Sequence, residues 1–87
     1  MDIEQRISQT AQALREVIEA EALGMTADQR VSEVDAARLL GVSAGGLKNM
    51  RHEGNGPPAY RAAVKGCRVS YRIADLARWI ESRREDW

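Results

Sequence analysis

Apolar residues recur at every third or fourth position through most of the chain, a spacing that predicts α-helices. Four segments have this spacing: residues 1–23, 33–40, 44–53 and 73–84. Between the last two, apolar and polar residues alternate in 59–64 and again in 67–72. These runs flank Lys65-Gly66, a pair suited to a two-residue β-turn. The pattern predicts a mainly α-helical chain with one small β-hairpin.

The second and third helical segments are joined by a very short turn. Ser32 and Asp35 form an S-x-x-D arrangement that caps a helix beginning near Glu33. Gly41 is placed to end that helix, and Ser43 to cap the next one. Five apolar residues are predicted to form the inner face of the first helix: Val34, Ala37 and Leu40, with Ala36 and Leu39 less central.

Two short helices joined in this way are typical of a helix-turn-helix. In that motif the second helix lies in the major groove of DNA and presents its outward side chains to it. Leu47 and Met50 are predicted to face inward. The outward residues are therefore candidate DNA contacts: Lys48, Asn49, Arg51 and His52. Because similar spacings also join ordinary paired helices, the motif needs support from the rest of the chain.

The hairpin that follows supplies that support, and we call residues 59–72 the wing. The cluster Asn55-Gly56-Pro57-Pro58 before it cannot continue a helix. Alternation places one set of side chains toward the core: Tyr60, Ala62, Val64, Cys67, Val69 and Tyr71. The other set faces outward and is mostly cationic: Arg61, Lys65, Arg68, Ser70 and Arg72.

Composition at first argues against a nucleic-acid partner, since 13 basic and 13 acidic side chains cancel. The charges are segregated, however. Residues 48–72 hold six basic residues and only Glu53 as an acid, whereas residues 1–30 hold six acids and three arginines. Cationic charge on the groove-facing elements is what phosphate contact requires, although a solvated mixed-charge surface is the alternative. Net neutrality predicts modest affinity per copy, so tight binding would need several copies side by side.

The N-terminal segment predicts an amphipathic helix that Gly24 ends, followed by a polar linker over residues 25–30. Its apolar stripe contains Ile3, Ile7, Ala11, Leu14, Ile18 and Ala22. Three uses of this stripe remain open: packing onto the rest of the chain, self-association, or binding an unrelated partner. The candidates for self-association are Ile3, Ile7, Leu14 and Ile18. We therefore divide the chain into residues 1–30, helix and linker, and residues 31–87, a DNA-binding domain.

The last helix is predicted to close the core through Ile73, Leu76, Trp79 and Ile80, whereas Trp87 has no predictable role. The single Cys67 excludes an intrachain disulfide and a zinc cluster. The single His52 has no catalytic constellation around it, so we expect no enzyme, no cofactor, no metal and no small-molecule ligand. We expect neither a signal peptide nor a membrane span, and hence a cytoplasmic, nucleoid-associated protein.

Residues 31–84 resemble the small winged helix-turn-helix domains of the excisionase and MerR-like type, common in prophages and integrative elements. The resemblance is carried by AARLLGVS, the Gly-Pro-Pro turn, the basic hairpin and DLARWIESRR. It implies a DNA-binding regulator with double-stranded DNA as its partner. The residues that it places on the recognition helix are Ser43, Ala44, Lys48, Asn49 and His52. Those that it places on the wing are Arg61, Lys65 and Arg68.

One departure from the family pattern is Ala44-Gly45-Gly46, where relatives usually have bulky polar side chains. These residues offer no side-chain hydrogen bonds, and each glycine weakens the helix by roughly 1 kcal/mol. Either the first turn is frayed, or Gly45 lets the backbone N–H groups approach a phosphate closely. Since this turn offers no direct readout of bases, much of the sequence preference is expected to come from DNA shape or from repeated copies of the protein.

The resemblance and the small size together favour an excisionase, or recombination directionality factor. Such a protein binds near an attachment site, bends or coats the DNA, and biases an integrase toward excision. Neighbouring copies would associate head to tail on the DNA. Two alternatives remain: a transcriptional regulator of a mobile element, and a DNA-recognition adaptor such as the small subunit of a phage packaging enzyme.

Overall fold

The computed structural model describes residues 2–85, so Trp87 lies outside the described part of the chain. It contains six elements: α1 (Ile3–Ala20), β1 (Arg30–Ser32), α2 (Glu33–Leu40), α3 (Ala44–Glu53), β2 (Ser70–Arg72) and α4 (Ile73–Ser82). The two strands pair antiparallel, with Val31 opposite Tyr71. The predicted fold class is confirmed: the chain is mainly helical, with a small antiparallel sheet compatible with a winged helix-turn-helix.

Local capping fixes the two helices of the motif as the sequence predicts. The Ser32 hydroxyl accepts the backbone N–H of Asp35 at 3.1 Å, and α2 begins at the next residue, Glu33. Gly41 ends α2 in the left-handed region at φ +78°, which a side chain would disfavour. Ser43 then accepts the N–H of Gly46 at 2.9 Å and starts α3. These bonds satisfy orphan donors at each helix start, so the turn is set by local sequence.

The predicted hairpin forms only in part, and the sheet gains a strand that was not predicted. In the wing, pairing is limited to two isolated bridges, Tyr60 with Ser70 and Val64 with Cys67, around a Lys65-Gly66 turn whose two residues have positive φ. The main partner of β2 is β1, which lies where the sequence predicted the end of a linker. Pairing these strands buries Val31 and Tyr71 completely, whereas much of the arm before the turn carries short or exposed side chains. The burial of these two side chains therefore favours the pairing of β2 with β1.

Two further expectations about burial are wrong. Val34 is 55% exposed, because Ala36 and Ala37 form the buried side of α2 and turn Val34 outward. Ser70 was predicted to face outward but is fully buried, where its hydroxyl accepts a hydrogen bond from Arg30 Nη1 at 2.8 Å. A small polar side chain with a partner is tolerated inside.

Helix α1 packs along α4 within the same molecule. Its stripe of Ile7, Ala11, Leu14 and Ile18 is buried in the core that also contains Ile73, Leu76 and Ala77 of α4. Polar contacts line the seam: Glu81 accepts a hydrogen bond from Thr10 and pairs with Arg6, and Glu4 pairs with Arg78. Each fully buried Ile or Leu contributes roughly 1.5–3 kcal/mol, so α1 is integral to the stability of this small body.

This packing bears on the residues proposed for self-association. Ile7, Leu14 and Ile18 are 4–8% exposed, so α1 would have to leave α4 before a second copy could reach them. Ile3 is 45% exposed and is the only one of the four that lies at the surface. The helix also ends at Ala20, earlier than Gly24, because Ala22 adopts a positive φ and the Leu23 N–H bonds back to the Ile18 carbonyl. None of α1 to α4 combines the length and the apolar character that crossing a bilayer requires.

Candidate nucleic-acid interface

The second helix of the motif and the wing lie on either side of one groove. We call this the α3–wing groove; its volume is about 240 Å³. Its lining comes from three elements: Glu33 and Val34 of α2, Ala44, Lys48 and Arg51 of α3, and Cys67, Arg68 and Val69 of the wing. Two segments far apart in sequence thus converge on one side of the molecule, as the charge pattern predicted.

Two neighbouring hollows extend the same side. One, of about 460 Å³, is lined by Arg51, His52 and the arm of the wing that carries Arg61. The other, also about 460 Å³, is lined by Arg61 and Arg68 with Ala63. Val69 lines the groove and both hollows, so the three form a continuous surface. We call Lys48, Arg61 and Arg68 the cationic face.

The side chains of the cationic face are exposed to solvent. Within residues 2–85, Arg61 and Arg68 have neither a hydrogen bond nor an ion pair to the protein. Lys48 likewise has no hydrogen bond or ion pair within these residues, although its charge helps to lower the pKa of Glu33 across the groove. These three cations are therefore available to phosphate groups.

Arg51, predicted to face the DNA, is held by the protein itself. Its Nε and Nη2 atoms donate to the two carboxylate oxygens of Glu33, at 2.8 and 3.1 Å. The buried Tyr71 hydroxyl donates to Glu33 Oε2 at 2.7 Å. We call these three residues the Glu33 cluster. It ties α2, α3 and β2 together, so Arg51 positions the recognition helix relative to the wing.

Charge and burial in the Glu33 cluster shift its pKa values. The Arg51 guanidinium, chiefly through its hydrogen bonds, holds the pKa of Glu33 below the ordinary value against the opposing effect of burial. In return Glu33 raises the pKa of Arg51. Burial, and then the hydrogen bond to Glu33, raise the pKa of Tyr71. At neutral pH the cluster is therefore an ionised pair with a neutral phenol.

Lys65, at the wing tip, is turned toward the body. Its Nζ lies 3.7 Å from Asp35 Oδ2, a carboxylate oxygen that is buried without a hydrogen bond among the described residues. Its stem passes so close to Gly24 that a Cβ on that residue would lie 2.5 Å from Lys65 Cδ. Lys65 therefore fastens the wing tip to α2 and to the end of the α1 region, and only half of its side chain is exposed.

Arg72 is engaged in the same way at the base of the wing. Its Nη2 donates to Asp28 Oδ2 at 3.1 Å, and its guanidinium lies 4.9 Å from the centre of the Tyr60 ring. Hydrogen bonds from Arg30, and then from Thr26, hold the pKa of Asp28 far below its usual range. The predicted linker is therefore a structured loop that braces the wing.

The remaining candidates lie on the exposed side of α3. Asn49 and His52 are exposed in its second and third turns, and Ala44 and Gly45 are exposed in its first. Nothing lies within 4 Å of the position that a Cβ on Gly45 would occupy, so the backbone there is open to a close approach. The Ser43 oxygen is used by its cap.

The roles of Glu33, Tyr71, Asp28 and Arg30 in bracing this surface were not predicted from the sequence. Each forms contacts with residues far along the chain, and periodicity records only which face a residue occupies. Nothing in the local sequence connects Glu33 with Arg51.

Fold and interface together define a helix-turn-helix protein with a cationic face. The family model described as "Helix-turn-helix domain" matches residues 32–84, more than half of the chain, so the protein belongs to this family. Membership indicates DNA binding, and domains of this family are typically not enzymes. Comparison with curated proteins and with solved structures gave no match.

Proposed function

We propose that this protein is an architectural DNA-binding factor of the excisionase, or recombination directionality, type. The observation that carries the proposal is the convergence of α3 and the wing around one groove with unpaired cations on its rim. The resemblance of residues 31–84 to small excisionase-like domains supports the recombination role. Such a factor would act on DNA in the cytoplasm, at the nucleoid.

In the proposed complex α3 enters the major groove and the wing lies on the adjacent backbone or minor groove. The cationic face contacts phosphates, and the open backbone at Gly45 is a further phosphate contact. Asn49 and His52 reach base edges. Arg51, Lys65 and Arg72 hold the two binding elements in place and contribute charge to the surface without being its main contacts.

The electrostatics favour binding by several copies. Three phosphate contacts correspond to a slope of log K against log[salt] of about −2.7, a modest value for a DNA-binding protein. Because the whole chain has no net charge, long-range attraction adds little. Neighbouring copies on one DNA molecule would raise the affinity through effective concentration. Head-to-tail association on DNA and contact with an integrase belong to the same proposal.

A footprint on the DNA that flanks the protein's own gene, combined with a mobility-shift titration, tests this proposal. An excisionase-like factor should protect adjacent repeats, give a stepwise ladder of complexes and bend the DNA. A single saturating complex of two copies at a promoter would instead support a transcriptional regulator. Absence of salt-sensitive binding to any duplex would refute a role on DNA. An adjacent packaging gene, with no integrase gene nearby, would favour the adaptor alternative.

A further inference from the structure

The α3–wing groove contains an apolar strip between its charged rims. Four residues of the groove lining form it: Val34, Ala44, Cys67 and Val69. Val34 is 55% exposed, more than any other large hydrophobic residue in the described part of the chain. Covering a valine this exposed with an apolar group is favourable, and Val34 lies in the groove that Lys48 and Arg68 also line.

The first turn of α3 lacks polar groups with which to recognise a base. Ala44 and Gly45 have no side-chain donor or acceptor, and the Ser43 oxygen already accepts the Gly46 N–H. The nearest polar side chains on the exposed side are Lys48 and Asn49, one turn farther along. The side chains of this first turn can therefore make only apolar contacts with a base, while its backbone N–H groups stay available to a phosphate.

The major groove offers a matching apolar group. Among the groups that base pairs present there, the C5-methyl of thymine is the one large apolar group, whereas cytosine has only a hydrogen at that position and the remaining recognition groups are hydrogen-bond donors or acceptors. We propose that Val34 and Ala44 form a subsite for a thymine methyl group and that this contact selects thymine at one position of the DNA site. This inference rests on the proposed function, specifically on α3 lying in the major groove.

The rims of the strip favour DNA over an apolar peptide as the occupant. Lys48 of α3 and Arg68 of the wing line the same groove as the strip, and both are exposed. Phosphates flank every thymine in a duplex and are natural partners for such cations, whereas an apolar peptide would leave both charges without partners. The apolar strip thus matches the thymine methyl group, and the two cations match the phosphates of the same DNA.

The test exchanges thymine for deoxyuridine, which removes the methyl group and keeps base pairing and the O4 acceptor. Short duplexes selected from random sequence supply the preferred site, and deoxyuridine then replaces each thymine in turn. Burial of one methyl group corresponds to about fourfold in Kd. We expect this weakening at one thymine for the native protein, and a smaller difference between thymine and deoxyuridine there for Val34→Ala, since Ala44 remains.

Val17→Ala is the matched control, because Val17 is an exposed valine on α1, outside the groove lining. It should retain the fourfold preference. Equal affinity for thymine and deoxyuridine at every position, with salt-dependent binding intact, would overturn this inference and leave the proposed function standing. The same preference in Val34→Ala would also overturn it, since the methyl would then be read elsewhere. Failure to bind any duplex would refute the proposed function itself.

Discussion

The Glu33 cluster holds the recognition helix in place, and Tyr71→Phe removes one of its hydrogen bonds without changing the packing volume. The lost bond joins the Tyr71 hydroxyl to Glu33 Oε2 at 2.7 Å, and its acceptor is a carboxylate whose side chain is only 14% exposed. Hydrogen bonds to charged groups contribute about 1.5–3 kcal/mol. Because Arg51 remains bound to Glu33, we expect the lower end of that range.

The corresponding fall in Tm is about 6–12 °C for a domain of this size. Glu33→Gln should cost more, about 2–3 kcal/mol at pH 7, because it removes the charge that both Arg51 and Tyr71 contact. Unfolding by urea, followed by circular dichroism, measures both values. The double variant should cost less than the sum of the two, because the pair shares one interaction.

The stabilisation by Glu33 depends on pH, and it should decrease in acid. The pKa of Glu33 in the folded protein lies below the ordinary value of 4.5. The stabilisation by its charge is therefore complete above pH 4.5 and is lost as the pH falls through the lower folded pKa. The difference in unfolding free energy between native protein and Glu33→Gln should be constant above about pH 5 and should shrink in acid.

Glu53→Gln is the control, since Glu53 is an exposed carboxylate at the end of α3. It should change the free energy of unfolding by less than about 0.5 kcal/mol. A Glu33→Gln penalty no larger than that of Glu53→Gln, or one that grows in acid, would refute the reasoning about the cluster.

Two other predictions concern the packing of α1 and the wing tip. Ile18→Ala should lower the free energy of unfolding by about 2–4 kcal/mol, because Ile18 is 4% exposed in the α1–α4 core. Sedimentation should show an unchanged oligomeric state; loss of a dimer would contradict the intramolecular packing. Gly24→Ala should displace the stem of Lys65 and separate it from Asp35, since the new Cβ would lie 2.5 Å from Lys65 Cδ. Amide exchange should then be faster at the wing tip; unchanged exchange would contradict this contact.

Features that depend on neighbouring residues could be predicted from the sequence. The caps at Ser32 and Ser43, the left-handed Gly41 and the Lys65-Gly66 turn each involve residues at most three positions apart. Their geometry follows from backbone donors and from the freedom of glycine, which need no knowledge of the rest of the fold. The helix-turn-helix was therefore predictable in detail.

Features that depend on distant partners could not be predicted. The pairing of β1 with β2, in addition to the expected hairpin, required knowing that Val31 and Tyr71 would be buried together. Three of the six predicted cations, Arg51, Lys65 and Arg72, are engaged by acids from elsewhere in the chain. The charge count predicted that cations of α3 and the wing would share one side of the molecule, and it overestimated how many of them are free of ion pairs.

The salt dependence of DNA binding tests the central claim most directly. Arg61→Ala/Arg68→Ala removes two free cations of the cationic face, whereas Arg38→Ala/Arg78→Ala removes two exposed arginines that pair with acids on α1 or just after it. Both double variants lose the same net charge. We expect the slope of log K against log[salt] to become less steep by about 1.8 for the first variant and to stay unchanged for the second. Equal slopes for the two variants would contradict the assignment of DNA binding to α3 and the wing.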